Sequence, residues 1–275
     1  MTQWHPIFDD LLRRALQDYY EVQTNVPVGD LPREADIVLV RRASKAKPPF
    51  RTLWKHLTRW NVLEFKGRSE PARVNDVDLL VEVGLGIHRR LQEQEPNAKI
   101  GRPDVSFWYL ANHLGKRFLR DVIELTGNLE AISPGLWRGY VLDRPLWLVS
   151  NRDVPIDAES ASVRMVSEQT IEQTRELAQV FVANEELWQA YAPLLGALYP
   201  ELRKEFEIMA AKHGRREFDW SLISHNVLEA ATPKELIEGG SAKTVIDKIG
   251  LDGLLSLLTP AQLREIVKRA ESRKN

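Results

Sequence analysis

The chain has 275 residues, 43% apolar and 28% charged, with a formal net charge of −1 and no cysteine. This composition supports one large domain or two small ones with a real core. It excludes disulfides and thiolate metal sites, and it gives no global electrostatic pull towards nucleic acid.

In chain order, Ile7, Leu11, Leu12, Ala15 and Tyr19 recur at helical spacing and predict a helix over 7–20. Val22, Thr24, Val26 and Val28 alternate, which predicts a strand, and Pro27 argues for an edge position or the strand's end. Gly29-Asp30 supplies a turn before a short apolar strand over 35–40. A basic connection with Pro48-Pro49 and a helical turn near 53–57 leads to a third strand, Trp60 to Phe65, which Gly67 stops. Residues 74–91 carry apolar side chains on two faces, with Leu79, Val83 and Ile87 on the second, so both faces are expected to be buried. A fourth strand over 105–110, a helix over 114–125 and a hairpin over 132–149, turning at Asp143-Arg144-Pro145, complete this part. Beyond about residue 160 the strand patterns give way to helical runs, at 167–183, 184–198 and 200–214. Two capping boxes, Thr232-Pro233-Lys234-Glu235 and Thr259-Pro260-Ala261-Gln262, mark later helix starts. The expected division is an α/β part, 1–158, and an all-helical C-terminal region, 159–275.

Two carboxylates and an ammonium stand at the ends of neighbouring strands: Asp36, Glu64 and Lys66. A hard cation relieves the repulsion between two carboxylates, and magnesium accepts such a set because it keeps several waters. Lys66 lies two residues after Glu64, so the two side chains share a strand face. A lysine there can orient a metal-bound water or, as the neutral amine, deprotonate it, or stabilise charge on a phosphate. The plain alternative is a same-face ion pair worth roughly 0–1 kcal/mol. Between Arg41 and Arg73 ten Lys or Arg face only two acids, Glu64 and Glu70. Such local charge suits a phosphate backbone through counterion release.

The segments Arg33-Glu34-Ala35-Asp36-Ile37-Val38-Leu39-Val40 and Asn61-Val62-Leu63-Glu64-Phe65-Lys66, with the order helix, three strands, helix, strand, resemble the PD-(D/E)XK nuclease superfamily. Within it they are similar to the Rpn-type branch of recombination-promoting nucleases and transposase-like proteins. The resemblance covers about 100 residues and departs from the family name at Ala35, where that name has proline. It implies a restriction-endonuclease-like mixed sheet. It also implies Mg2+, with Mn2+ as substitute, held by Asp36, Glu64 and the Phe65 carbonyl, while Lys66 assists the attacking water. Members often add an acid on the first helix, for which Glu21 and Asp10 compete, and a polar residue on the later helix, for which Asp76 and Asp78 stand available. Asp9 and Asp10 are both expected at a solvated helix start, where acids favour the helix dipole.

The expected activity is a magnesium-dependent DNA endonuclease, linked to recombination, transposition or defence. Arg41, Arg42, Lys45, Lys47, Arg51, Lys55, Arg59 and Arg68 would hold the DNA backbone. A homodimer is expected by analogy with nucleases that cut duplexes in pairs. The alternative is a catalytically silent nuclease fold that binds partners through its helical C-terminal region. No run of about 18 apolar residues suggests a membrane span. The start, Met1-Thr2-Gln3-Trp4-His5-Pro6, lacks a secretory pattern, so a cytoplasmic protein is expected. The six histidines show no zinc spacing. Gly84-Leu85-Gly86 is no dinucleotide fingerprint and is expected to admit a neighbouring backbone. Trp54, Trp137 and Trp147 are candidates for base stacking, whereas Trp60 and Trp108 are expected in the core.

Overall fold

Tyr20–Pro27 (β1), Glu34–Arg41 (β2) and Trp60–Phe65 (β3) form an antiparallel meander. The computed structural model describes residues 4–27, 34–42, 48–94, 100–199 and 202–215. Helix α1, Trp4–Leu16, precedes the meander, and α2, Val74–Gln94, follows it. Next come β4 (Val105–Ala111), α3 (Lys116–Thr126), β5 (Glu130–Ser133), β6 (Leu136–Val141) and β7 (Arg144–Ser150). Together the strands make one mixed sheet in the order β1-β2-β3-β4-β7-β6-β5.

β4 lies at the centre, parallel to both β3 and β7. Every residue of β4 is buried, as expected of a parallel strand covered on both faces. A polar network pins the start of β3 to β4. The Ser106 hydroxyl and the Thr58 amide both donate to Asn61 Oδ1 at 2.7 Å, and the Trp108 indole donates to Ser106 at 2.8 Å. Each buried polar group so satisfied removes a desolvation penalty that would otherwise favour slippage.

Alternation along the strands sends Val62, Phe107, Tyr109 and Leu148 to one face, where α2 and α3 supply Val77, Leu80, Ile87, Phe118 and Val122. Phe65 points the other way and stacks on Phe8 of α1 at 4.2 Å between ring centres. Because β3, β4 and β7 are parallel, their carboxyl ends open at one end of the sheet, together with the start of β2. Helices α2 and α3 each begin shortly after those strand ends.

Several expectations need correcting. The region 130–150 forms three strands, with β5 preceding the hairpin. Its turn is Leu142-Asp143, both at positive φ (49° and 62°), the two-residue geometry that matches strand twist. On α2, Leu79 is 38% exposed, whereas Val83 and Ile87 are buried. Gly84 faces the ring of Phe107, not a neighbouring backbone. The capping boxes at Thr232 and Thr259 lie outside the described residues. A capping box missed in the sequence opens a later helix, where Thr170 and Gln173 bond reciprocally at 3.1 and 3.2 Å.

Gln3–Ala192, which holds the sheet, forms one compact unit, and the described residues from Pro193 onward belong to a second. After β7 the described elements are helical: α4 (Ala161–Met165), α5 (Ile171–Ala183), α6 (Glu185–Leu198) and α7 (Arg203–Lys212). Helix α4 packs against α1. No helix among the described residues is long and apolar enough to cross a membrane.

Candidate active site

The β2–β3 ladder pairs Val38 with Val62 and Ile37 with Leu63, so the next rung sets Asp36 across from Glu64. Directly opposed residues on antiparallel strands hold their Cβ atoms about 5 Å apart. In place of that last rung the Asp36 carboxylate accepts the Phe65 N–H at 3.1 Å. In an extended strand a residue's N–H and C=O point to the same side. The Phe65 carbonyl therefore faces the β2 side, with Asp36. On the other side, the Lys66 N–H bonds Leu110 O at 2.8 Å and fixes the strand to β4.

The other neighbour of Asp36 is irregular too. β1 pairs with β2 at Thr24–Ile37 and at Val26–Ala35, but the intervening rung, Asn25 with Asp36, is absent. Asn25 adopts φ 50°, a left-handed conformation that asparagine tolerates better than most residues. Asp36 thus sits where the sheet loosens on both sides, and this frees its carboxylate to turn towards β3.

Lys66 Nζ donates to Glu64 Oε1 at 2.6 Å and lies 3.7 Å from Asp76 Oδ2 in the first turn of α2. Asp76 accepts from the Tyr109 hydroxyl at 3.3 Å, and that hydroxyl accepts the Arg73 N–H at 3.3 Å. Burial is the largest influence on Lys66 and pulls its pKa down, but the Glu64 hydrogen bond and three carboxylates outweigh it and hold the pKa above its ordinary value. Lys66 is therefore a cationic donor here rather than a base. Burial, and then the charge of Asp36, push Glu64 up to about 7. A carboxyl so crowded gains from any cation placed between it and Asp36.

Helix α1 closes the site from the opposite face. His5 Nδ1 lies 3.8 Å from Asp36 Oδ2, and His5 Nε2 lies 3.9 Å from Glu70 Oε2. Glu70 caps the turn after Lys66 by accepting the Gly67 N–H at 2.9 Å. Asp9 is pushed up to about 6, first by burial, with the negative charge of Asp36 adding to it. Asp9 is thus the α1 acid turned inward. Asp10 instead pairs with Arg14 at 2.8 Å, one turn along the outer face. Glu21 is exposed, accepts from Gln23, and stands across from Val40. That is four residues along β2 from Asp36, or about 13 Å. Of the α2 acids, Asp76 joins the site and Asp78 is exposed.

The basic residues divide. Arg68 belongs to the carboxyl end, with its guanidinium 4.3 Å from the centre of the Trp4 ring and donating to Met165 O. Arg41, Arg42 and Arg59 stand at the far end of β2 and β3: the Arg41 N–H bonds Arg59 O, and Arg42 bonds Gln17 O. Five residues of strand, roughly 17 Å, separate Arg41 from Asp36. Arg51 and Lys55 are exposed on a segment held by Phe50 against Tyr19, by Thr58 on Asn61, and by Thr52 N–H and the Trp54 indole donating to Glu159 at 2.9 and 2.7 Å. Lys45 and Lys47 lie outside the described residues. Trp54, Trp60, Trp108 and Trp147 are all buried, so none of these four offers a ring to a base.

Among the described residues, no three His, Cys, Asp or Glu side chains are placed to hold a metal ion. The donor set on offer is two carboxylates and one carbonyl. Asp36 uses one oxygen on the Phe65 amide and Glu64 one on Lys66, which leaves one oxygen of each for a cation. All are hard oxygen donors, the class magnesium prefers, and solvent completes its shell. His5 and Asp9, missed as site residues in the sequence, sit on a helix whose amphipathic pattern gave no sign of which polar residues turn inward. No protein-family model, curated protein or solved structure matches the chain.

Proposed function

We propose that this chain is a magnesium-dependent endonuclease that hydrolyses DNA phosphodiesters, built on a restriction-endonuclease-like fold of the PD-(D/E)XK type and akin to its Rpn-type branch. One observation carries the reading. Asp36 and Glu64 oppose each other on adjacent strands, with the Phe65 carbonyl on the Asp36 side and Lys66 bonded to Glu64. The order α1, three antiparallel strands, α2 and a parallel β4 supports it as well.

Asp36, Glu64 and the Phe65 carbonyl would hold the ion. A bound magnesium lowers the pKa of a coordinated water and polarises a phosphate oxygen. Lys66 donates a proton to a hydrogen bond with the attacking oxygen or a non-bridging phosphate oxygen and offsets charge that develops there. Asp76 and Glu64 flank the Lys66 ammonium, keep it charged and limit its rotation. Phe65, stacked on Phe8, fixes the strand end that carries these groups. A duplex cut on both strands needs two such sites, which a homodimer supplies.

Plasmid cleavage with magnesium or manganese tests the reading. Wild-type protein is expected to nick and linearise the plasmid, and EDTA to stop it. Asp36→Asn, Glu64→Gln and Lys66→Ala should each reduce the rate by at least about 100-fold while the circular dichroism stays native. Cleavage that survives all three changes overturns the assignment.

A further inference from the structure

Resting on the nuclease reading, we infer that the DNA backbone is held at the carboxyl end of the sheet, by Arg73 and the outer face of α3, rather than by the basic segment 41–59. The described part of that segment lies away from the site: Arg41, Arg42 and Arg59 stand at the far end of β2 and β3, and the stretch at 51–54 is bonded to Glu159 and packs Trp54 on Trp108, on the sheet face opposite Tyr109.

A second set of cations stands beside the carboxylates. Lys66 lies 3.7 Å from Asp76, Asp76 accepts from Tyr109, and the Tyr109 ring stacks on Phe118 at 5.4 Å. Phe118 is the inward residue of the first turn of α3, and Lys116 and Arg117 flank it on the exposed side. One turn later Arg120 projects outward; the Arg117 and Arg120 side chains are 89% and 71% exposed. Asp121 pairs with both, at 4.0 and 3.7 Å, and exposed pairs at that range are weak. Arg73 is exposed at the entry to α2, its backbone tied to the same Tyr109 hydroxyl.

The result is an arc of four cations reached from Lys66 through two packed rings. A strand whose phosphate occupies the site would carry its neighbouring phosphates past Arg73 and the α3 cations. Such contacts position the strand without reading bases, so weak sequence preference follows.

Two triple variants of the full chain carry the test. One combines Arg73→Glu, Lys116→Glu and Arg117→Glu; the other combines Arg51→Glu, Lys55→Glu and Arg59→Glu. Both change net charge equally, so a general loss of attraction affects them alike. Anisotropy of a fluorescent DNA duplex is read with calcium in place of magnesium across a salt series. The first variant should bind at least about 30-fold more weakly, with a log–log salt slope shallower by about 2 to 3; the second should lose less than about threefold. Equal losses, or a larger loss in the second, overturn the inference. Glutamine versions of the first set, which keep the side-chain stems, should lose binding in the same order, and native circular dichroism confirms that each variant folds. A wild-type chain that neither binds nor cuts removes the nuclease reading itself. A wild-type chain that cuts, beside a first variant that binds unchanged, removes only the placement of the backbone.

Discussion

The hydroxyl of Tyr109 lies 3.3 Å from the carboxylate of Asp76, a polar contact between the central strand and the helix whose first turn flanks Lys66. Burial pushes the hydroxyl pKa well up, so Tyr109 remains a donor at any working pH. Asp76 in turn lies within reach of Lys66. Tyr109 is therefore a positioning residue that acts through Asp76.

Tyr109→Phe should lower kcat by about tenfold with KM little changed, because the phenyl ring still packs on Phe118 while Asp76 loses its donor. The stability cost should be about 1 kcal/mol, the worth of one partly buried hydrogen bond. Single-turnover cleavage beside a thermal melt separates the two effects. A fall in kcat matched by an equal rise in KM would argue against positioning.

Metal binding should tighten with pH. Glu64 is raised to about 7 and Asp9 to about 6, so both carry protons in much of the metal-free population below pH 6. A cation needs Glu64 ionised, so magnesium affinity should rise about tenfold per pH unit up to about pH 7 and then level off. The stability sign runs the other way. A carboxyl whose folded pKa is raised contributes stability in full below its unfolded value of 4.5, and that contribution is lost as pH rises through 7. Metal-free protein should therefore lose on the order of 1–3 kcal/mol across that window. Magnesium should restore the melting temperature at pH 8 and leave it unchanged at pH 5. Melts in EDTA and in magnesium at both pH values check this.

Gly84→Ala should destabilise despite improving helix propensity. Alanine in a helix interior gains about 1 kcal/mol over glycine. Here its Cβ would meet Phe107 at 2.3 Å from Cε1 and 2.7 Å from Cδ1, deep in the core between α2 and β4. Overpacking of that kind costs about 1–3 kcal/mol, and the ring has no exit. The clash wins, and urea denaturation should show a lower midpoint. A midpoint above wild type would mean the ring moves freely.

The strands that carry the site were legible because their patterns are strong. Trp60 to Phe65 carries Trp60, Val62, Leu63 and Phe65 around Asn61 and Glu64 and is stopped by Gly67, and its bounds match the structure. Asp36, Glu64 and Lys66 could be brought together on paper because strand register and period leave few alternatives. What the sequence hid was side-chain direction on helices. Asp9 and Asp10 are adjacent acids on α1, and only packing of Phe8 on Phe65 decides that Asp9 turns inward. The placement of the basic segment was hidden for a different reason. Charge density along the chain says nothing about which end of a strand a residue joins, and the meander carries Arg41, Arg42 and Arg59 away from the carboxylates. The absent rung at Asn25 left no trace in composition, since asparagine is equally at home in any turn.

That absent rung has a bearing on how copies of the chain can meet. β1 is an outer strand of the sheet, and an outer strand ordinarily invites another molecule to zip alongside it. Asn25 twists the backbone out of line and Pro27 has no amide hydrogen to share, so the stretch beside Asp36 is a poor template for a visiting strand. The same kink that loosens the acid thus makes this stretch of the sheet's edge hard for a visiting strand to extend.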